Sequence, residues 1–139
     1  MSAVQPGGAN EVPTLTVSPD TVDLFLFSAA VGLSHRIHYD LEYARTEGLE
    51  RIPVHGPLQG AYLSEMVSRW ARDHAGRLTS LRIRHKSPAF AGDELLCTGK
   101  ITARGGDGIV SVEIELTSGE TVCTAGSAEV SFGPAAGLS

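Results

Sequence analysis

Residues 56–74 constrain the fold more than any other stretch of this chain. Leu58, Tyr62, Met66 and Trp70 recur every four residues, with Leu63 and Val67 beside them. That spacing spreads apolar side chains over much of a helix rather than along one narrow stripe. A helix with so little polar surface must be enclosed by something. From Gly76 onward the period changes to two. Leu81 and Ile83 alternate with Arg82 and Arg84, and Val110, Val112, Ile114 and Leu116 alternate with Ser111, Glu113, Glu115 and Thr117. Further strands are expected over 95–103 and 122–132, with hairpin signals at Gly105-Gly106-Asp107-Gly108 and Ser118-Gly119. The expected class is α+β: an antiparallel meander of about four strands, curved around one long central helix.

The first third of the chain supplies shorter elements. Ser18-Pro19-Asp20 opens a helix, with Ser18 as N-cap and Pro19 at the first helical position, running to about Val31 and stopping at Gly32. A second, short helix is expected over 40–46, ended by Gly48, and a short strand over 14–17. Residues 1–12 are rich in Gly, Pro and polar side chains and are expected to be a disordered tail. Residues 13–132 form the domain and 133–139 a second tail. At 139 residues one continuous core is expected, and neither a repeat nor a linker divides it.

Charge and cysteine usage narrow the function. Eleven basic residues against 16 acidic ones give a net charge of −5, which disfavours a nucleic-acid binder. Two cysteines, Cys97 and Cys123, lie in strand-like runs and read as buried free thiols of a reducing compartment. The opening residues have neither a basic nor an apolar region of the secretory kind. The longest apolar run, 24–33, is interrupted by Ser28 and too short to span a bilayer. A soluble, cytoplasmic protein without membrane contact is expected.

Chemistry concentrates in 34–64, SHRIHYDLEYARTEGLERIPVHGPLQGAYLS. His35 and His38 stand three apart, and His55 immediately precedes the Gly56-Pro57 helix start. Imidazoles exchange protons near neutral pH. A helix N-terminus presents unpaired N–H groups where negative charge develops. Gly56, lacking Cβ, admits a substrate carbonyl close to the backbone, and Pro57 begins the helix without needing a partner for its nitrogen. Together these suit work on a carbonyl or thioester. A metal held by His35, His38 and Asp40 is the rival reading, but zinc wants three or four firm ligands, so no metal and no cofactor are expected. Arg82, Arg84 and Lys86 share one strand face, by default a solvated one, though a pantetheine or CoA phosphate suits such a patch.

Three segments in order resemble the MaoC-like, R-specific enoyl-thioester hydratase/dehydratase family. IHYDLEYA resembles its IHxDxxYA segment, IPVHGPLQGAYLS the start of its central helix, and SPAFAGDELLCTGKIT its strand-turn-strand with a P-x-x-x-GD turn. The resemblance spans about 17–132. It implies a hotdog fold and a dimer whose sheets join edge to edge. It also implies a thioester substrate carried on CoA or acyl carrier protein. By position, His38 falls on the family's catalytic histidine and Gly56 on the glycine whose N–H polarises the thioester carbonyl. Ser64 falls on a serine of the central helix that lines the site. The family's G-D-x-N-P-[LIV]-H pattern is broken here, because Leu33, His35 and Arg36 stand at its Asp, Asn and Pro positions. The string HRIHYD followed by VHGPL resembles a variant branch, the mitochondrial-type 3-hydroxyacyl-thioester dehydratases and mesaconyl-CoA-type hydratases. Members of that branch are often longer, with an extra hotdog-like half.

Hydration of a 2-enoyl thioester needs a base for water, an acid for C2 and stabilisation of the enolate oxygen. His38 is the candidate base, Gly56 the oxyanion donor, and His35 a neighbour able to hold or share the proton. Asp40 either orients a ring or merely caps a helix. His55 is expected to pack behind the site and brace its loop. Ser64, Arg84 and Lys86 are the candidate substrate-binding residues. Two alternatives stay open: a thioesterase on the same fold, and a subunit that has lost its base and supports a catalytic hotdog partner. A homodimer is expected, or a hetero-oligomer with such a partner.

Overall fold

The computed structural model describes residues 2–5 and 9–133. The expected tail at 1–12 is in part a strand: β1 (Ser2–Gln5) runs antiparallel to β2 (Glu11–Val17), with Ser2 opposite Val17. A polar, glycine-rich sequence does not preclude this, because the pairing uses backbone groups on the free edge of β2. The tail expected at 133–139 lies, from 134 onward, outside the described residues.

Helix α1 (Thr21–Val31) starts later than expected, with Asp20 rather than Ser18 as N-cap. The Asp20 carboxylate accepts the Asp23 N–H at 2.8 Å, and the Asp23 carboxylate accepts the Asp20 N–H at 2.9 Å. This reciprocal box satisfies two orphan donors, where one serine hydroxyl satisfies one. Gly32 closes the helix in the left-handed region, at φ 73°. A single 3-10 turn (Arg36–His38) and α2 (Leu41–Thr46), capped by Asp40, lead into a loop. The long helix α3 (Gly56–Asp73) follows, as its apolar spacing requires. Leu58, Leu63, Met66, Val67, Trp70 and Ala71 are all buried.

The remaining strands are β3 (Arg77–His85), β4 (Leu95–Arg104), β5 (Ile109–Ser118) and β6 (Thr121–Ser131). They form one antiparallel sheet in the order β1-β2-β4-β5-β6-β3. Only β4, β5 and β6 make the expected meander; β3 pairs with β6 and not with β4. The two hairpin turns explain β4–β5–β6. The connection 86–94 holds no such turn and spends its backbone on the loop before α3. Val54 N–H donates to Ala89 C=O at 2.7 Å, and Ala91 N–H to Ile52 C=O at 2.9 Å. Arg51 adds a two-pronged contact to the Asp93 carboxylate at 2.7 and 3.1 Å. The segment before α3 is thereby held in place. No described helix is long and apolar enough to cross a membrane.

Helix α3 lies unusually close to β3. A β-carbon on Gly60 would sit 2.9 Å from Ile83 Cδ1, and one on Gly56 2.7 Å from His85 Nε2. Four helical residues rise about 6 Å and two strand residues span about 6.6 Å. Gly60 over Ile83 and Gly56 over His85 are therefore successive contacts of one helix laid along one strand.

Candidate active site

His38 ends the 3-10 turn beneath the N-terminus of α3. Its Nδ1 donates to the Pro53 carbonyl at 2.8 Å, in the loop that 89–93 holds in place. Since a carbonyl only accepts, this bond places the proton of the neutral ring on Nδ1 and leaves Nε2 with its lone pair. The ring stacks on His55, centroids 3.8 Å apart and planes 23° apart. Burial pulls His38 below the ordinary histidine range, against the Pro53 bond that raises it. At neutral pH it is an uncharged base.

His55 is 1% exposed and serves as the N-cap residue of α3 without a side-chain capping bond. Its Nε2 lies 2.7 Å from the buried Ser28 hydroxyl of α1, and Phe27 meets the ring edge-on at 4.9 Å. Burial, with His38 adding to it, pulls its pKa down to about 4. His55 thus supports His38 from behind, as expected of it. Among the described residues its Nδ1 is a buried atom without a hydrogen-bond partner.

His35 is close to His38, with ring centroids 6.2 Å apart. Its Nδ1, however, accepts the Ile37 N–H at 3.5 Å, capping the 3-10 turn. The His38 Nδ1–H is held by Pro53 and not by His35. Asp40 is a helix cap: one oxygen accepts the Tyr43 N–H at 3.0 Å and the other meets Arg36 at 2.8 Å. The Tyr43 N–H and then Arg36 hold its carboxyl below the usual range. Ser64 is half-buried two turns along α3, about 12 Å of helix from Gly56. Arg84 near the end of β3 and Lys86 just past it line a shallow groove with Arg82, Ile83, Ala125, Gly126 and Ser127. Cys97 and Cys123 are free and buried, and burial pushes the Cys97 thiol up to about 12.

Gly56 is at the helix end as expected, but the space its missing Cβ leaves is filled by the His85 imidazole rather than left open for a carbonyl. Its N–H remains an orphan donor of the first turn, with Pro57 contributing none. His85 itself was not among the residues singled out from the sequence, nor were Ser28, Gln59 and Thr124. The signal for His85 was present: it continues the inward parity of Leu81 and Ile83, at the strand end nearest the Gly-Pro helix start.

Residues 3–91 match the family model described as hydroxyacyl-thioester dehydratase type 2. Among curated proteins, the mesaconyl-C(4)-CoA hydratase of Chloroflexus aurantiacus is 36% identical over 114 residues, 81% of this chain and 38% of that one. The chain therefore spans well under half the length of that relative. Among solved structures, an (R)-hydratase from A. caviae involved in PHA biosynthesis superimposes with TM-score 0.81 at 22% identity, covering 94% of this chain and 97% of the other. A chain of the ChsH1–ChsH2 complex of Mycobacterium tuberculosis gives TM-score 0.79 at 21% identity, covering 94% and 98%. These likenesses carry the hotdog fold.

Proposed function

This chain belongs to the hydroxyacyl-thioester dehydratase type 2 family, and we propose that it interconverts 2-enoyl and 3-hydroxyacyl thioesters of CoA or acyl carrier protein. The observation that carries the reading is His38. It is uncharged, its tautomer is set by Pro53, and among the described residues its Nε2 has no hydrogen-bond partner, while its ring stacks on the N-cap residue of α3. In hydration, that Nε2 takes a proton from water as the oxygen attacks C3. The electron pair of the double bond moves toward the thioester oxygen, which accepts the Gly56 N–H at the positive end of the helix. Protonation at C2 completes the addition, and dehydration reverses each step. Arg84 and Lys86, on the outer groove with Arg82, would hold the phosphates of the carrier. Ser64 would meet the acyl chain, being too far along α3 to reach the thioester carbon.

Partner and compartment follow from the same features. The outer edge of the nine-residue β3 supports edge-to-edge pairing with a second hotdog, either a copy of this chain or a different subunit. Two buried free thiols support a reducing cytoplasm. Loss of the enoyl chromophore with crotonyl-CoA tests the reaction. The native protein is expected to turn over, and His38→Ala to lower kcat/KM by about 10²–10⁴. Release of free thiol to a trapping dye, with no hydration, would instead identify a thioesterase.

A second reading has its own observation. Leu33 stands in place of the family's carboxylate. A subunit that supports a catalytic hotdog partner would be inactive alone and gain activity on mixing with that partner.

A further inference from the structure

We infer that His85 is the second proton-transfer residue of this site, delivering a proton to C2 in hydration and removing it in dehydration. The inference rests on the hydratase reading. His85 Nε2 occupies the space a β-carbon of Gly56 would take, against the residue whose N–H is the candidate oxyanion donor. The other ring nitrogen is held: Nδ1 lies 2.8 Å from Thr124 Oγ1. Thr124 is the cross-strand neighbour of His85 in the β3–β6 register, so the contact is built into the sheet.

The direction of this hydrogen-bond chain sets the tautomer. Thr124 donates its hydroxyl proton to Gln59 Oε1 at 2.6 Å, and the Gln59 amide group donates to Val54 C=O at 3.4 Å. With its single proton spent on Gln59, the threonine oxygen accepts from His85, so Nδ1 carries hydrogen. Neutral His85 therefore presents a bare Nε2 toward the helix end, and protonated His85 presents an N–H there. Gln59 and Thr124 are 3% and 0% exposed, so the chain that fixes the ring is buried. His85 itself is exposed.

Of the other imidazoles, His55 is sealed against Ser28 and stacked under His38. His74 caps the far end of α3, with Nδ1 on Trp70 C=O at 3.0 Å. Leu33, at the family's carboxylate position, has no proton to give. In hydration His38 gains the proton of water as the C3–O bond forms. Protonated His85 then gives its Nε2 proton to C2 as the enolate returns to a thioester. His38 is left charged and His85 neutral, and one proton passing through solvent from the first to the second restores both. Water is added as H and OH, with nothing left over.

The test separates the two ends of the double bond. Exchange of the C2 hydrogens of butyryl-CoA with D2O needs no chemistry at C3. His85→Gln is expected to lower this exchange about 10²–10⁴-fold, while His38→Gln leaves most of it; both variants lose crotonyl-CoA hydration. Thr124→Val, which removes the acceptor for Nδ1, is expected to lower exchange while Thr124→Ser restores it. Urea unfolding establishes that each variant is folded. Should His85→Gln misfold, the Thr124 pair decides. Full hydration and an unaltered pH profile in folded His85→Gln, or full exchange in folded Thr124→Val, would overturn the inference and leave the hydratase reading standing. A wild-type protein that hydrates no enoyl thioester would remove both.

Discussion

His55 makes the pH dependence of folding a direct probe of the site. Its ring is 1% exposed, and its pKa is lowered to about 4 by burial first and His38 second. In the unfolded chain the value returns to about 6.5. A depressed histidine pKa means that the unfolded state binds more protons between these two values. Stability is therefore fully present above about pH 7 and is lost as pH falls toward 4. Going from pH 8 to pH 5, this one group is expected to remove about 2 kcal/mol. Asp20, Asp40 and Asp93 are all held below the usual carboxylate range, so they stay ionised over this window and add little to the slope. The assay is urea unfolding at the two pH values, where a slope of 1–3 kcal/mol per molar turns the loss into a midpoint shift of roughly 1 M. His55→Gln keeps a polar partner for Ser28 but does not titrate. Its baseline stability is free to differ, and its pH-dependent loss is expected to be smaller than wild type by about 2 kcal/mol. Equal losses in the two proteins would refute the reasoning and mean that His55 is not buried as an uncharged ring.

Other perturbations test the frame around the site. Gly126→Ala drives a β-carbon into the Arg82 carbonyl oxygen and to 2.9 Å from Ile83 Cα. It is expected to cost about 1–3 kcal/mol or more and to lower Tm, since neither atom is the end of a flexible side chain. Leu63→Ala empties a fully buried position on α3 and is expected to cost about 2–5 kcal/mol by urea unfolding. Arg84→Glu, on the outer groove, is expected to raise KM for crotonyl-CoA with kcat little changed. An unaltered KM would remove that groove as the carrier's phosphate site.

What was legible in the sequence divides along the range of the interactions concerned. The α3 stripe and the alternation of β5 are local patterns, and both elements stand where their periods put them. The start of α1 was misjudged by two residues because two acidic side chains three apart outcompete a serine, a balance that propensity at one position does not register. The place of β3 was not legible, because pairing across a long connection depends on what that connection binds. Here 86–94 gives its backbone to 52–54 instead of turning back as a hairpin.

The site shows the same division more sharply. His38 and His55 are separated by α2 and the segment after it, and their rings stack where that segment reaches the start of α3. His85 lies 29 residues beyond Gly56, and only the docking of α3 along β3 brings them together. That docking needs small residues at 56 and 60, one helical turn apart, facing Ile83 and His85 two apart on the strand. Either pattern alone is ordinary: glycines near a helix start, and a histidine ending a strand of alternating arginines. Laid side by side they select a single register, in which a larger residue at 56 would collide with the imidazole. In the proposed reaction Gly56 bears on two atoms, through its N–H on the thioester oxygen and through its missing side chain on the imidazole assigned to C2. On that proposal, with Leu33 at the carboxylate position, the second acid–base group comes from a contact between helix and sheet and not from the turn that carries His38.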